Sequence, residues 1–167
     1  ALSESAAGHD PGYQTRLEEL INMHRRVCSE LLSGETLEAT LVSINEIFTE
    51  LTETLNGLFL LRELSKSSLD KALSTGERVS SIILSAFLEH SILIDSREII
   101  CTDNEFGNAN VDFAITNPRI RKKILRRNKL IIVPGFIAAT EAGETTTLGR
   151  GGSDYTAAII AAAINAD

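Results

Sequence analysis

The sequence predicts an α/β fold, and three of its features support this prediction. The first part of the chain has the apolar spacing of long helices, in steps of three and four residues. Short β-branched apolar runs, typical of strands buried in a sheet, occur only in the second half. Near the end, a glycine-rich turn joins a threonine-rich strand to an alanine-rich helix. With 167 residues and 43% hydrophobic content, the chain is long enough to form a core of its own.

The balance of charge and the cysteines exclude several classes of protein. Lys and Arg number 16 and Asp and Glu number 23, so the net charge is −7. This charge repels nucleic acids and anionic membrane surfaces, and no apolar run is long enough to span a bilayer. Cys28 and Cys101 have neither the spacing of a metal site nor that of a disulfide framework. We therefore predict a cytoplasmic protein with no nucleic-acid partner, no membrane association and no metal site.

Two long helices are predicted at the front of the chain. Asp10 and Pro11 begin a helix that ends near Leu32, and Thr36 caps the next one. The second helix has an unbroken apolar seam that requires a packing partner. That partner is the first helix, in an antiparallel hairpin, another subunit of a homo-oligomer, or each of these in a different part of the seam. The seam consists of Leu37, Leu41, Ile44, Phe48, Leu51, Leu55 and Leu58.

Shorter elements are predicted to follow. A helix that starts at Ser67 or Ser68 breaks near Gly76, and Glu77 begins another helix. Glu77 in a first helical turn either offsets the helix dipole or provides a fixed carboxylate for an ammonium group.

Strands are predicted at 92–94 and 130–133, buried on both faces, and Asn117 with Pro118 begins a helix between them. Residues 136–139 and 145–147 are predicted to form strands on either side of a turn. The helix between the first two strands is basic, and we interpret its charges as a solvated face. These charges belong to Arg119, Arg121, Lys122, Lys123, Arg126 and Arg127.

The segment from Gly149 to Asp154 contains the most informative chemistry. Ser153 or Asp154 is predicted to cap a helix over 155–165, so that backbone N–H groups and the helix dipole favour a bound anion. Arg150 adds a planar, two-pronged donor for a carboxylate or phosphate. The spacing matches neither standard nucleotide-binding loop, and a glycine-rich turn of this kind also has a purely structural explanation.

Two motifs resemble those of a known family. Thr145-Thr-Thr-Leu-Gly-Arg-Gly-Gly-Ser-Asp-Tyr-Thr-Ala-Ala, preceded by Gly135-Phe-Ile, closely resembles the substrate motif of aspartate kinases in the amino-acid kinase family. Gly76-Glu77 followed by Ser80 resembles another motif of the same family, in the same order. The resemblance implies a carbamate kinase-like α/β sandwich, present here as a partial domain. Residues 1–66 would form a helical insertion lobe, and residues 67–167 the aspartate-binding part.

The resemblance also implies how the substrate is held. Arg150 would bind a carboxylate of aspartate and Glu77 its amino group, which agrees with what a zwitterion with an extra carboxylate requires. The remaining substrate-binding residues would line the same pocket. They are Phe136, Gly151, Gly152 and Ser153.

The implied reaction is phosphoryl transfer from Mg²⁺-bound ATP to the side-chain carboxylate of L-aspartate. The product is 4-phospho-L-aspartate, made in the first step towards lysine, threonine and methionine. Asp154 would be the catalytic residue that organises the lysines around the phosphoryl group. In the family, one of these lysines lies in a segment before the region that this chain resembles. The ATP-binding segment is expected beyond Asp167. We therefore expect the chain to be inactive by itself.

Three alternatives remain at this stage. The long helical insertion also resembles that of the aspartate kinases fused to homoserine dehydrogenase. The chain could instead be another member of the amino-acid kinase family. A third hypothesis is a non-catalytic module that binds a partner through its helical seam.

Overall fold

A computed structural model describes residues 2–125 and 128–166 of the chain. Arg126 and Arg127 of the predicted basic helix lie outside these ranges. Within the described ranges the chain forms seven helices and five strands. They are α1 (Leu2–Ala7), α2 (Gly12–Leu31), α3 (Gly34–Leu61), α4 (Lys66–Phe87), β1 (Ser91–Leu93), α5 (Ser96–Ile99), β2 (Cys101–Thr102), α6 (Phe113–Ile124), β3 (Leu130–Ile132), β4 (Ile137–Thr140), β5 (Thr145–Thr147) and α7 (Gly152–Ile164).

The two predicted front helices correspond to α2 and α3. Helix α3 begins at Gly34, so Thr36 lies in its first turn and does not cap it. The last five seam positions, from Ile44 to Leu58, are buried. Helix α3 packs against α1, α2 and α4, so the predicted hairpin with α2 supplies only one of three partners.

Helix α4 is continuous, and the predicted break at Gly76 is wrong. A glycine inside a helix costs only about 1 kcal/mol relative to alanine, which tertiary packing readily overcomes. Here Val79 and Ile83 are buried in the same apolar cluster as α3. The opposite face of α4 contains the buried residues Asp70 and Ser74, and α4 also contacts β1, β3 and β5. Helix α4 therefore connects the helical region to the strands.

The strands form two small sheets. In one, β1 and β3 pair in parallel; in the other, β4 lies between parallel β2 and antiparallel β5. The prediction that 92–94 and 130–133 are buried on both faces is wrong, because Leu93 and Leu130 are exposed. In the described part of the chain no third strand pairs with β1 or β3. Strand β4 is the central strand of its sheet, and all four of its residues are buried.

Two helices begin earlier than predicted, for local reasons. Asp112 caps α6, with its carboxylate accepting hydrogen bonds from the N–H groups of Ala114 and Ile115. Pro118 therefore lies inside the helix instead of at its start. The N-cap of α7 is Gly151, and neither Ser153 nor Asp154 caps the helix.

Some of the basic side chains of α6 make hydrogen bonds or ion pairs. The Nε atom of Arg121 donates to the carbonyl of Ala163, at 2.7 Å, and Lys123 pairs with Glu98. Arg121 and Lys122 are exposed, as predicted for a solvated face.

Two apolar clusters form the interior. The first is built from α1 to α4, and the second from α5, α6, α7 and β4 with neighbouring loop residues. Since α4 contributes to the first cluster, that cluster extends beyond residue 66, and the lobe boundary stays a prediction. No helix in the described ranges is long and apolar enough to cross a membrane.

Candidate functional site

The glycine-rich turn packs directly against the residues that precede β4. The N–H of Phe136 donates to Thr156 Oγ1 at 3.1 Å, and that hydroxyl donates to the carbonyl of Gly152 at 2.9 Å. The N–H of Leu148 donates to the Phe136 carbonyl at 2.9 Å. The start of α7, the end of β5 and the start of β4 are therefore held together at Phe136.

Two glycines are needed because the backbones approach so closely. A Cβ atom on Gly152 would lie 2.8 Å from Cδ2 of Phe136, and one on Gly135 would lie 2.9 Å from Cα of Ser153. Phe136 itself has a φ of 69°, in the left-handed region that non-glycine residues rarely occupy. Such backbone strain is concentrated at ligand sites.

Unpaired charge lies beside this junction. Arg150 is exposed, and the described residues provide no ion-pair partner for it, whereas Arg78 and Arg97 both pair with carboxylates. No side chain caps α7, and the N–H groups of Ser153 and Asp154 have no acceptor among the described residues. An arginine fork and free N–H groups at a helix start together favour an anion.

Glu77 is on α4 and makes no hydrogen bond or ion pair to these residues. The side chain is partly buried and has no partner in the part of the chain that the structure describes. The close contacts that join Phe136, Gly152 and Ser153 do not include it. Glu77 follows Asp70 by seven residues, or about two helical turns, so both are on the face of α4 that points towards β5.

Asp70 is a functional candidate that the sequence analysis missed. It is completely buried, and its carboxylate accepts hydrogen bonds from the N–H groups of Gly107 and Thr147 and from the Thr147 hydroxyl. The spacing in the sequence could have indicated Asp70. Steps of four and three residues place Asp70, Ser74 and Glu77 on one face of a continuous helix. The incorrect helix break at Gly76 concealed that spacing.

Two arginine–carboxylate ion pairs lie near the start of β5. Arg78 donates to both carboxylate oxygens of Glu50, at 2.7 and 3.3 Å, and this contact lowers the pKa of Glu50 against the opposing effect of burial. Burial raises the pKa of Asp95, but the hydrogen bonds and charge of Arg97 outweigh burial and hold it below its usual value. Arg97 also donates to the hydroxyl of Thr145.

A mainly apolar groove lies beside the site. It has a volume of about 550 Å³ and runs along α7 between α6 and β3, meeting the junction at Gly135, Ser153 and Thr156. The unpaired charged residues do not line it. In the described ranges, no group of three or more His, Cys, Asp or Glu side chains could hold a metal ion.

Comparison with known proteins identifies the class. The amino acid kinase family model matches residues 8–167, so the chain belongs to the amino acid kinase family. Relatives within this family include aspartokinases. The aspartokinase of Geobacillus stearothermophilus is 34% identical over 156 residues, covering 90% of this chain and 37% of that protein. Bifunctional aspartokinase/homoserine dehydrogenase 1, chloroplastic, of Arabidopsis thaliana is 30% identical over 167 residues, covering 96% of this chain and 18% of that protein.

A solved structure confirms the predicted amino-acid kinase fold. The crystal structure of E. coli aspartokinase III in complex with lysine and aspartate matches with a TM-score of 0.87 and 27% identity. The match covers 99% of this chain and 39% of that one. Aspartokinase III in complex with aspartate and ADP matches with a TM-score of 0.85. The chain therefore spans 18% to 39% of the length of these relatives.

Proposed function

We propose that this chain is the aspartate-binding part of an aspartate kinase. The complete enzyme would phosphorylate the side-chain carboxylate of L-aspartate with ATP, giving 4-phospho-L-aspartate. The observation that supports this most is the unpaired Arg150 beside the uncapped start of α7. The relatives add support, since both solved structures of E. coli aspartokinase III are complexes with aspartate.

The charges suit a dicarboxylic amino acid. Arg150 would bind one carboxylate through two parallel hydrogen bonds, supported by the free N–H groups of Ser153 and Asp154. Glu77, also unpaired, would bind the ammonium group. Gly151, Gly152 and Phe136 would form the wall of the pocket, and the close approach of Gly152 to Phe136 leaves no space for a larger residue there.

Asp154 is our candidate for the catalytic residue. It is exposed in the first turn of α7, next to the anion-binding N–H groups. We propose that it organises lysines supplied by the rest of the enzyme around the transferring phosphoryl group. The attacking carboxylate of aspartate is ionised at neutral pH, so the reaction needs positioning and charge neutralisation and no general base.

The remaining features of the proposal concern the complete protein. ATP would be the phosphoryl donor, accompanied by Mg²⁺, and the activity would begin the routes to lysine, threonine and methionine. We expect a cytoplasmic homo-oligomer. The non-catalytic alternative is weakened by one observation: α1, α2 and α4 already cover the buried part of the seam that a partner would use.

Steady-state kinetics of the complete enzyme test the proposal. Arg150→Lys keeps the charge but removes the fork, so the Michaelis constant for aspartate should rise about tenfold or more. Glu77→Gln should act in the same direction, and both should leave the constant for ATP nearly unchanged. Arg16→Lys, in an exposed pair with Asp10, is the control and should change neither constant. A raised constant for ATP with an unchanged one for aspartate would contradict the assignment.

A further inference from the structure

Asp70 connects the helix that contains Glu77 to the loop that contains Arg150. We propose that Asp70 is a positioning residue for the substrate site, one that sets the separation between the ammonium-binding and carboxylate-binding groups. This inference rests on the proposed function of Glu77 and Arg150. Because Asp70 is completely buried, it would act through its hydrogen-bonded neighbours and not by contact with the substrate.

The first connection runs through Thr147, the last residue of β5. Asp70 Oδ2 accepts from the Thr147 N–H at 2.9 Å, and Asp70 Oδ1 accepts from the Thr147 hydroxyl at 2.8 Å. Thr147 precedes Arg150 by three residues. The pair of bonds fixes both the backbone and the side chain of Thr147 against α4, immediately before the glycine-rich turn.

The second connection runs through the loop at 107–109. Asp70 Oδ2 also accepts from the Gly107 N–H, at 2.8 Å. The next residue, Asn108, occupies the space that a side chain on Gly149 would need, and the Ala109 N–H donates to the Thr147 carbonyl at 2.9 Å. The Asp70 carboxylate therefore holds both the end of β5 and the loop at 107–109. These two segments lie against each other at Thr147 and Gly149, just before Arg150.

The helix transmits this anchoring to Glu77. Asp70 and Glu77 share one face of α4, about 10 Å apart along its axis. Because the helix is continuous through Gly76, a change in how Asp70 holds Thr147 and Gly107 changes the position of Glu77 relative to Arg150. Both charged groups bind the same small substrate, so even a displacement of about 1 Å should weaken aspartate binding strongly.

Two substitutions at Asp70 test whether its hydrogen bonds position the substrate site. One keeps an acceptor for these hydrogen bonds and the other removes it. Asp70→Asn can place its oxygen at the position of Oδ2, accept both backbone N–H groups and donate its NH₂ group to the Thr147 hydroxyl. Asp70→Ala leaves all three donors without an acceptor. We expect Asp70→Ala to raise the Michaelis constant for aspartate about tenfold or more, without a comparable change for ATP. Asp70→Asn should restore the constant for aspartate to near its wild-type value.

A core variant provides the control for general destabilisation. Leu55→Ala removes a completely buried side chain of α3 that belongs to the apolar cluster and takes no part in the Asp70 hydrogen bonds. It should lower thermal stability while the constant for aspartate stays at the wild-type value. If Leu55→Ala raises that constant as much as Asp70→Ala, or if Asp70→Ala alters stability alone, the positioning proposal is overturned.

Hydrogen exchange distinguishes this proposal from the proposed function. In the complete enzyme without substrate, the amides of Gly107 and Thr147 should be protected in the wild type and in Asp70→Asn, and should lose protection in Asp70→Ala. Unchanged protection in Asp70→Ala would overturn the positioning role even if the enzyme phosphorylates aspartate. An enzyme that does not act on aspartate, but shows the expected loss of protection, would instead refute the function and leave the anchoring role of Asp70 supported.

Discussion

The helical region formed by α1 to α3 and the region around the glycine-rich turn are held together by different forces. Ile44 and Leu55 are completely buried in an apolar cluster. Around the turn, hydroxyls and backbone groups make the contacts: Thr102 and Thr146 hydrogen-bond to each other at 2.7 Å, and Thr156 joins Phe136 to Gly152. Apolar contacts are non-directional, whereas hydrogen bonds fix atoms within narrow limits of distance and angle.

This difference shows which region can tolerate change. A core of apolar side chains accepts substitutions that conserve volume. A network of small residues and hydrogen bonds does not, because each lost acceptor leaves a buried donor unsatisfied. Binding a small charged substrate requires the second kind of order. Helix α4 belongs to both regions, with Val79 in the apolar cluster and Asp70 in the hydrogen-bonded network.

The largest expected effect is a charge placed in the helical cluster. Leu51→Asp puts a carboxylate at a site that is only 5% exposed. We expect it to lower the free energy of unfolding by several kcal/mol, enough to disrupt folding or association. Urea unfolding followed by circular dichroism, together with sizing chromatography, measures this. Val42→Asp, on the exposed face of the same helix, should be nearly silent; an unchanged Leu51→Asp variant would show that the seam is not a core.

A smaller but more selective effect is expected at the turn. Gly152→Ala places a methyl group against Phe136 and Leu148, and overpacking of this kind costs about 1 to 3 kcal/mol. We expect the Michaelis constant for aspartate to rise with little change in the constant for ATP. Gly57→Ala, in α3 where the new methyl group would meet open space beyond its own helix backbone, should stabilise the protein by about 0.5 to 1 kcal/mol and leave kinetics unchanged. Equal kinetic effects of the two variants would remove the distinction between the regions.

The smallest expected effect is a pH dependence from Asp95. Its pKa is lower in the folded protein than its ordinary value, since Arg97 outweighs the effect of burial. The ion pair therefore stabilises the fold above the unfolded pKa of about 3.9, and this contribution is lost as the pH falls through the lower folded value. Asp95→Asn should reduce the free energy of unfolding by about 1 kcal/mol at pH 7.

The difference between wild type and Asp95→Asn should narrow in urea titrations carried out below about pH 4. The matched control is Asp10→Asn, which should change the free energy of unfolding less than Asp95→Asn does. The Asp10 side chain is half exposed in its pair with Arg16, so solvent screens that pair more strongly. If the difference in the free energy of unfolding between wild type and Asp95→Asn stays constant at low pH, the assigned ion pair is contradicted.

Much of the fold follows from local patterns. Apolar spacing predicted α2 and α3 and the buried part of the α3 seam, and turn residues predicted the connection between β4 and β5. The resemblance in residues 145–158 brought Arg150, Ser153 and Asp154 into one candidate site, and the structure places these residues together at the start of α7. Their roles in binding aspartate stay predictions.

Other features depended on contacts between distant parts of the chain. Local propensity suggested a break at Gly76, but packing of Val79 and Ile83 against α3 keeps α4 continuous. The partners of Asp70 lie 37 and 77 residues further along the chain, so no local pattern could reveal why this carboxylate is buried. Periodicity and motifs thus determined the elements and the candidate ligand groups. Only tertiary structure decided that Asp70 of α4 joins Thr147 and Gly107, because a buried hydrogen bond depends on which segments meet in space.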